Sequence, residues 1–505
     1  MPARFGWSDE GIPGGPPWHT ARVLWRWIVR MVLAVAALVA AFAVGGAVSA
    51  MSRLPDLQPW HHLVTSLEPR TVDISAVFTL DDYFRREEMV FAEARAQVDD
   101  RVAEGADPLV PNRYVAGSRS APSRFATDFN RTQVVVPPQV RGGALLLHGL
   151  TDTPYSMRAM AERLQAAGFV TLSLRMQGHG TVPGGLVGVS WEDWAAAVRM
   201  GARHVRGAIG QDQPFVVVGY SNGGALAVNY TLEALEDARL PTPTALVLVS
   251  PMIGVSPVAR VARLISLLGP LPFFEKARWL DVVPEYNPFK YNSFPANAGL
   301  QTGRFTAAIQ GRLTSAEEAG RLAGFPPVLA FQSVVDTTVS TGAVVNLLFG
   351  RLPPNGHELV LFDLNRTTGV ETFTKPGAVL PRLTGEGARP FTVTLVTNRS
   401  PETLEVSAMT VASGSTTLTE EPLGLAWPAD MFSLSHVALP FPADDPLYGG
   451  ASTSRDTGGL SLGRVTPRGE KDVLIVPIEV LMRVSWNPFF GYLADRLERW
   501  AASRR

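Results

Sequence analysis

The sequence contains no cysteine, which excludes disulfides, thiolate metal sites and a cysteine nucleophile together. It also lacks an excess of charge of either sign. Its 45 basic and 46 acidic residues leave a formal net charge of −1, so no bulk basic field points to nucleic acid. No internal repeat is present. Histidine is scarce, with eight in 505 residues, and that scarcity later allows a base to be sought by elimination. What the chain has in quantity is apolar surface: 46% hydrophobic against 18% charged residues describe a globular chain with an ample core. The length allows about three domains.

Charge is missing altogether from one long stretch. A Gly- and Pro-rich tail is followed by Arg22, Arg26 and Arg30, and then no charged residue occurs from Met31 to Met51. As a helix rising 1.5 Å per residue, this run reaches about 31 Å, enough to cross a hydrocarbon core. Three arginines precede it and only Arg53 lies close after it. This pattern predicts a cytoplasmic tail over 1–30, a single transmembrane anchor over 31–51, and the bulk of the chain on the outer, periplasmic or extracytoplasmic side. Val48-Ser49-Ala50 also offers a signal-peptidase site, so secretion after cleavage is the alternative.

Residues 52–130 read as an N-terminal segment. Three prolines keep its first part irregular. A capping-box-like start at Thr79-Leu-Asp-Asp82 then predicts an amphipathic helix to about Val102, with Leu80, Tyr83, Phe84, Phe91, Ala94 and Val98 on one stripe. Glu87 and Glu88 are expected on its solvated face. From about residue 131 to the C-terminus, short apolar strands alternate with helices, which predicts a mostly parallel sheet covered on both faces. Two interruptions read as insertions. Residues 251–326 form a cap, opening with a helix (Val258, Val261, Leu264, Ile265, Leu268) and carrying Phe273, Phe274, Trp279, Tyr286, Phe289, Tyr291 and Phe294. Residues 366–430 form a second insertion with its own strand pair.

The chemistry centres on Gly219-Tyr220-Ser221-Asn222-Gly223, a G-x-S-x-G sequence between the apolar run Phe215–Val218 and a helix start. A nucleophile elbow needs small residues two places either side of the serine, so that strand and helix can approach closely. A serine hydroxyl also needs a base, an acid to orient the base, and two donors for the oxyanion. The N–H of Asn222 is one donor. The loop His148-Gly149-Leu150, after the strand Ala144–Leu147, supplies the other through Leu150. The acid is sought after the strand that follows the cap, where Asp336 stands, with Asp363 as competitor. Of the histidines, only His357 and His436 follow the acid. His357 begins a strand, at the wrong end of the sheet, so elimination favours His436. His148 is read as organising its loop.

Together Leu147-His148-Gly149, Arg175-Met-Gln-Gly-His-Gly-Thr181, Gly219-Tyr-Ser-Asn-Gly-Gly224 and Ser333-Val-Val-Asp336 resemble the α/β-hydrolase superfamily. The nearest groups are carboxylesterases, monoacylglycerol lipases and lysophospholipases, often grouped with serine aminopeptidases. The resemblance covers roughly residues 134–363, His436 and the closing helix. It implies a membrane-anchored serine hydrolase that cleaves lipid-like or short acyl esters through an acyl-enzyme, with Ser221, Asp336 and His436 as triad and no metal or organic cofactor. Two alternatives share the motifs. One is a serine aminopeptidase, using Glu275, Asp281 or Glu285 to hold a free amino terminus. The other is a catalytically silent hydrolase fold serving as a binding module.

Overall fold

The computed structural model describes residues 24–35, 38, 45–46, 54–99, 102, 109–254, 272–369, 387–450, 461–463 and 478–503. The chain divides into two units, Met1–Pro55 and Asp56–Arg505. In the first, residues 24–35 are helical. Most of the expected anchor over 31–51 lies outside the described residues, and among the described residues no helix is long and apolar enough to cross a membrane.

The second unit is built on a ten-stranded sheet. In chain order its first strands are β1 (Gln133–Val135), β2 (Gly142–Leu147), β3 (Phe169–Leu174), β4 (Phe215–Tyr220) and β5 (Ala245–Val249). A small pair, β6 (Trp279–Asp281) and β7 (Phe294–Pro295), stands apart in the cap. The main sheet continues with β8 (Val328–Ser333), β9 (Glu358–Phe362), β10 (Thr392–Asn398), β11 (Glu405–Val411) and β12 (Leu418–Ala426). The sheet order is β1-β3-β2-β4-β5-β8-β9-β10-β11-β12. Pairing is parallel from β3 through β10, while β1, β11 and β12 are antiparallel additions at the edges.

The central strands are apolar throughout because both faces are covered. Leu145, Leu147, Val217 and Leu248 face one core, together with side chains of helices α3 (Trp191–Gly207), α4 (Asn222–Glu236) and α5 (Ala296–Glu318). Ala144, Leu146, Val216 and Val218 face the other, against α2 (Arg158–Ala166) and the closing helix α6 (Phe490–Ala502). The register sets Leu147, Gly219 and Leu248 side by side, so the carboxyl ends of β2, β4 and β5 open at one edge of the sheet.

Two expectations change. The stretch 366–430 is not a separate insertion where it is described: β10 continues the parallel sheet beside β9, and β11 and β12 extend it. Its Val393 buries against the first core, and Val396 and Val406 against the second. The N-terminal segment differs likewise. Its helix α1 (Leu80–Ala94) has the expected cap, with the Thr79 side chain accepting from the Asp82 N–H. Glu88 is exposed and pairs with Arg131, but Glu87 is buried rather than solvated.

The reason lies at the end of β3. Arg175 is fully buried; its guanidinium makes a bidentate pair with Glu68 (2.9 and 3.0 Å), and its Nε donates to Glu87 at 2.8 Å. Glu87 also accepts from the N–H and hydroxyl of Thr132, Glu68 accepts from Gly178 N–H, and the Tyr83 hydroxyl donates to the Arg175 carbonyl. Two carboxylates thus reach out of the N-terminal segment to neutralise one arginine of the sheet. Breaking such a buried set leaves an uncompensated charge, which costs about 3–5 kcal/mol. Arg175→Met, which strands both carboxylates, should therefore lower the unfolding free energy by about 3–5 kcal/mol, seen as a lower urea midpoint. Tryptophan fluorescence across a urea series measures it, and an unchanged midpoint would remove the triad from the stabilising interactions.

Candidate active site

At the end of β4 the chain turns into α4 with almost no room to spare. Ser221 has φ 54° and ψ −114°, a conformation an L-residue adopts only at a cost of about 1–3 kcal/mol unless its surroundings enforce it. Here they do. The Ser221 N–H donates to the Val249 carbonyl at 2.9 Å, and the Ser221 carbonyl accepts from Gly224 and Met252, both at 3.0 Å. A methyl group at Gly219 would collide with the backbone of Gly223 and Gly224, and one at Gly223 with the carbonyls of Leu147 and His148. One at Gly224 would lie 2.8 Å from Pro251. The glycines are therefore a packing requirement of this turn, as the motif implied.

Asp336 follows β8 in a tight turn, with its side chain buried. Its Oδ1 accepts from the N–H groups of Thr338 (2.8 Å) and Val339 (3.0 Å). Its Oδ2 accepts from Gln332 Nε2 (3.1 Å) and lies 2.8 Å from His436 Nδ1. Burial alone would raise this carboxyl, but the His436 charge and hydrogen bond, with the two N–H groups, outweigh it and hold the pKa below the ordinary value. An ionised carboxylate only accepts, so Nδ1 of His436 carries the proton and Nε2 keeps its lone pair.

His436 is held from the other side by Tyr220, whose hydroxyl donates to its carbonyl at 3.3 Å, with the rings 5.3 Å apart. The roughly 70 residues between β9 and His436, an unusually long connection, include β10, β11 and β12. The chain then returns under Trp427, Met431 and Leu434, all buried.

The competitors have other partners. Asp363 binds Arg366 and the Thr397 hydroxyl. His357 is buried, and its Nδ1 accepts from the Val328 N–H. His148 is buried too; Nε2 accepts from the Met176 N–H and Nδ1 donates to the Gly149 carbonyl, which fixes the loop after β2. The loop carries Leu150 and is braced from the cap by Tyr291 N–H to the Thr151 carbonyl and by Thr153 to the Phe289 carbonyl.

Ser221, His436 and Leu150 line one cavity of about 280 Å³, together with Tyr220, Met252, Leu280, Phe294 and Val339. Asn222 is not on its wall. Its side chain is buried behind the turn, and as the first residue of α4 its N–H has no intrahelical acceptor. A larger cavity of about 480 Å³, beside Phe91, Arg113 and Arg131, contains none of these groups.

The cap differs in detail from expectation. Its opening helix, Val258 to Leu268, lies outside the described residues, as do the side chains of Phe273 and Phe274. Trp279, Phe289 and Tyr291 are core residues; Phe289, for instance, stacks on Tyr155 at 4.5 Å. Of the cap aromatics described, only Phe294 faces the cavity. Glu285 is buried and accepts from the N–H groups of Asn292 and Ser293, Glu275 pairs with His62, and Asp281 is exposed; none of the three lines the cavity. The charged groups that do are Asp152 and Lys290, paired with each other at 3.0 Å, and Arg483. Sequence reasoning missed both cations. Lys290 lies in a cap read for its aromatics, and Arg483 lies far along the chain with no motif around it.

A family profile described as "Serine aminopeptidase, S33" matches residues 138–281. The thermostable monoacylglycerol lipase of Bacillus sp. (strain H-257) is 29% identical over 177 residues, covering 34% of this chain; the chain spans 64% of that relative's length. Among solved structures, that of the metagenome-derived lipolytic enzymes LipS and LipT aligns with TM-score 0.36 at 22% identity, covering 47% of this chain and 87% of that one. The monoacylglycerol lipase of Paleococcus ferrophilus aligns with TM-score 0.35 at 18% identity, covering 46% and 88%.

Two outcomes follow from the packing. Gly223→Ala should destabilise the fold by at least about 2 kcal/mol, since backbone rather than a flexible side chain must move; a melting curve tests it. Burial lowers His148 to about 4, with the Gly149 hydrogen bond opposing, and lowers His61 to about 4 with help from His62. Between about pH 4 and the ordinary value of 6.5, the unfolded chain binds protons at these sites and the folded chain does not, so stability rises with pH there. Urea midpoints that stay flat from pH 4.5 to 6.5 would contradict this.

Proposed function

The chain is a member of the α/β-hydrolase superfamily, and from that premise we propose that it is a serine hydrolase of carboxylic esters. The observation that carries this reading is the shared cavity: Ser221 on its strained turn and His436, bonded to Asp336, line the same wall. In the proposed reaction His436 Nε2 takes the Ser221 proton as Oγ attacks the carbonyl. Asp336 fixes the imidazole and stabilises its charged form. The N–H groups of Asn222 and Leu150 receive the oxyanion. His436 protonates the departing alcohol, and water, deprotonated by the same nitrogen, releases the acid. The apolar wall of Leu150, Met252, Leu280, Phe294 and Val339 suits an acyl chain, in keeping with the monoacylglycerol lipase among the relatives.

The family profile's description brings an aminopeptidase into consideration. Such an enzyme needs a carboxylate for the free amino terminus, and the described cavity wall offers cations instead, its one carboxylate, Asp152, being paired with Lys290. The ester reading is therefore preferred. Membrane attachment belongs to the proposal as well: the uncharged run 31–51 behind three arginines supports an anchor with the catalytic unit outside.

Ser221→Ala should abolish labelling by a fluorophosphonate probe and hydrolysis of 4-nitrophenyl esters, while leaving the melting curve near that of the parent. Asp336→Asn, which imposes the wrong imidazole tautomer, should lower kcat by about 10³–10⁴-fold. Persistent labelling of the alanine variant, or aminoacyl-arylamide turnover without ester turnover, would overturn the assignment. A wild-type protein inert to the probe would favour a binding module. Removal of residues 1–55 should shift the protein from the carbonate-resistant membrane fraction to the soluble one.

A further inference from the structure

The catalytic cavity has a neighbour. A second cavity of about 170 Å³ is lined by Asn287, Asn292, Tyr448 and Ser485 among others, and it shares Lys290, Val437 and Arg483 with the first. The two cations therefore stand on the wall common to both spaces. No Asp or Glu lines the second cavity among the described residues.

The nearby carboxylates are accounted for. Asp152, on the first cavity, pairs with Lys290. Glu285 accepts from the backbone N–H groups of Asn292 and Ser293. Lys290 is mostly buried yet retains two N–H donors beyond the one facing Asp152. Arg483 is exposed and donates to the Thr338 hydroxyl at 3.0 Å, with no carboxylate in ion-pair range among the described residues. The Tyr448 hydroxyl accepts from Asn287 Nδ2 at 2.6 Å, which leaves its own O–H to donate. The second cavity is thus rich in donors, with Lys290 shared with Asp152, Arg483 outside any ion pair, and no carboxylate on its wall among the described residues. Away from bulk water such a wall favours an anion and disfavours an ammonium group.

We infer that the site takes esters whose leaving alcohol carries an anionic group, a carboxylate or a phosphate, seated in the second cavity between Lys290 and Arg483. This rests on the serine-ester reading of Ser221. The acyl chain occupies the apolar first cavity. Ser221 Oγ bonds to the carbonyl carbon, the ester C–O bond breaks, and the alcohol leaves with a proton from His436 and its anionic group unchanged.

The test compares 4-nitrophenyl butanoate with its 3-carboxy derivative, whose leaving group carries one added carboxylate, with the alkaline hydrolysis rates of the two as the reference for intrinsic reactivity. At low salt the carboxylated ester should show a kcat/KM about tenfold higher, and the advantage should shrink as ionic strength screens it. In Arg483→Gln and in Lys290→Met, the ratio of the two kcat/KM values should fall about fivefold or more, a change that general damage to the site would not produce. A second pair, 1-acylglycerol 3-phosphate against 1-acylglycerol of the same chain, shows whether a lipid phosphate is the anion. In both pairs, a wild-type ratio near one, or ratios unmoved in both variants, overturns the inference and leaves the ester reading standing. Turnover that persists in Ser221→Ala, or no turnover of any of the four esters, overturns both.

Discussion

The whole active-site region depends on an approach between backbones too close for a single extra carbon. Strand β4 and helix α4 meet at Ser221, and the carbonyls of Leu147 and His148 press against Gly223. That contact fixes the serine's strained dihedral angles. It also fixes the relation of the elbow to the loop after β2, where Leu150 sits. Because the constraint is steric rather than polar, neither pH nor salt relaxes it. The cost of the conformation at Ser221 is met by hydrogen bonds to Val249, Gly224 and Met252, so the strain is shared with β5 and the loop that follows it and not carried by the turn alone.

Asp336 and His436, the proposed acid and base, are held by a different kind of constraint. Asp336 has four hydrogen-bond donors around it, and each is satisfied by the ionised form. His436 arrives from the end of a sheet extension, with Tyr220 steadying its carbonyl. The serine is held rigid, the carboxylate is held ionised and the histidine is supported by an aromatic neighbour. The cap contributes mainly by bracing the loop after β2 through Tyr291 and Phe289, and it brings Lys290 to the cavity.

Much of this was legible in the sequence, because the features that position the site are local. Apolar strand runs, the glycines around Ser221 and the order of Ser221, Asp336 and His436 can all be read within a few residues of each motif. Elimination among eight histidines pointed to His436, which the structure places beside Asp336. The rest was hidden by distance along the chain. Glu87 looks solvated in a helical pattern, because its partner Arg175 is 88 residues away. Strands β10 to β12 looked like an insertion, because hydrogen bonding to β9 is not written in their own alternation. Arg483 had no signal, since a lone arginine in an irregular stretch reads as surface.

The buried triad of Glu68, Arg175 and Glu87 also has a consequence for the order of folding. Both carboxylates are synthesised well before the arginine that neutralises them, and Arg175 is itself buried only once β3 has joined β2. Until then the N-terminal segment has no use for Glu68 and Glu87 except in water. Contacts of such long sequence separation carry a closure cost before they contribute anything. The first residues of the unit to emerge from the ribosome are thus among those that wait for the sheet before they can settle. A segment that looks like a spacer ahead of the sheet depends on it for the partner of its buried carboxylates.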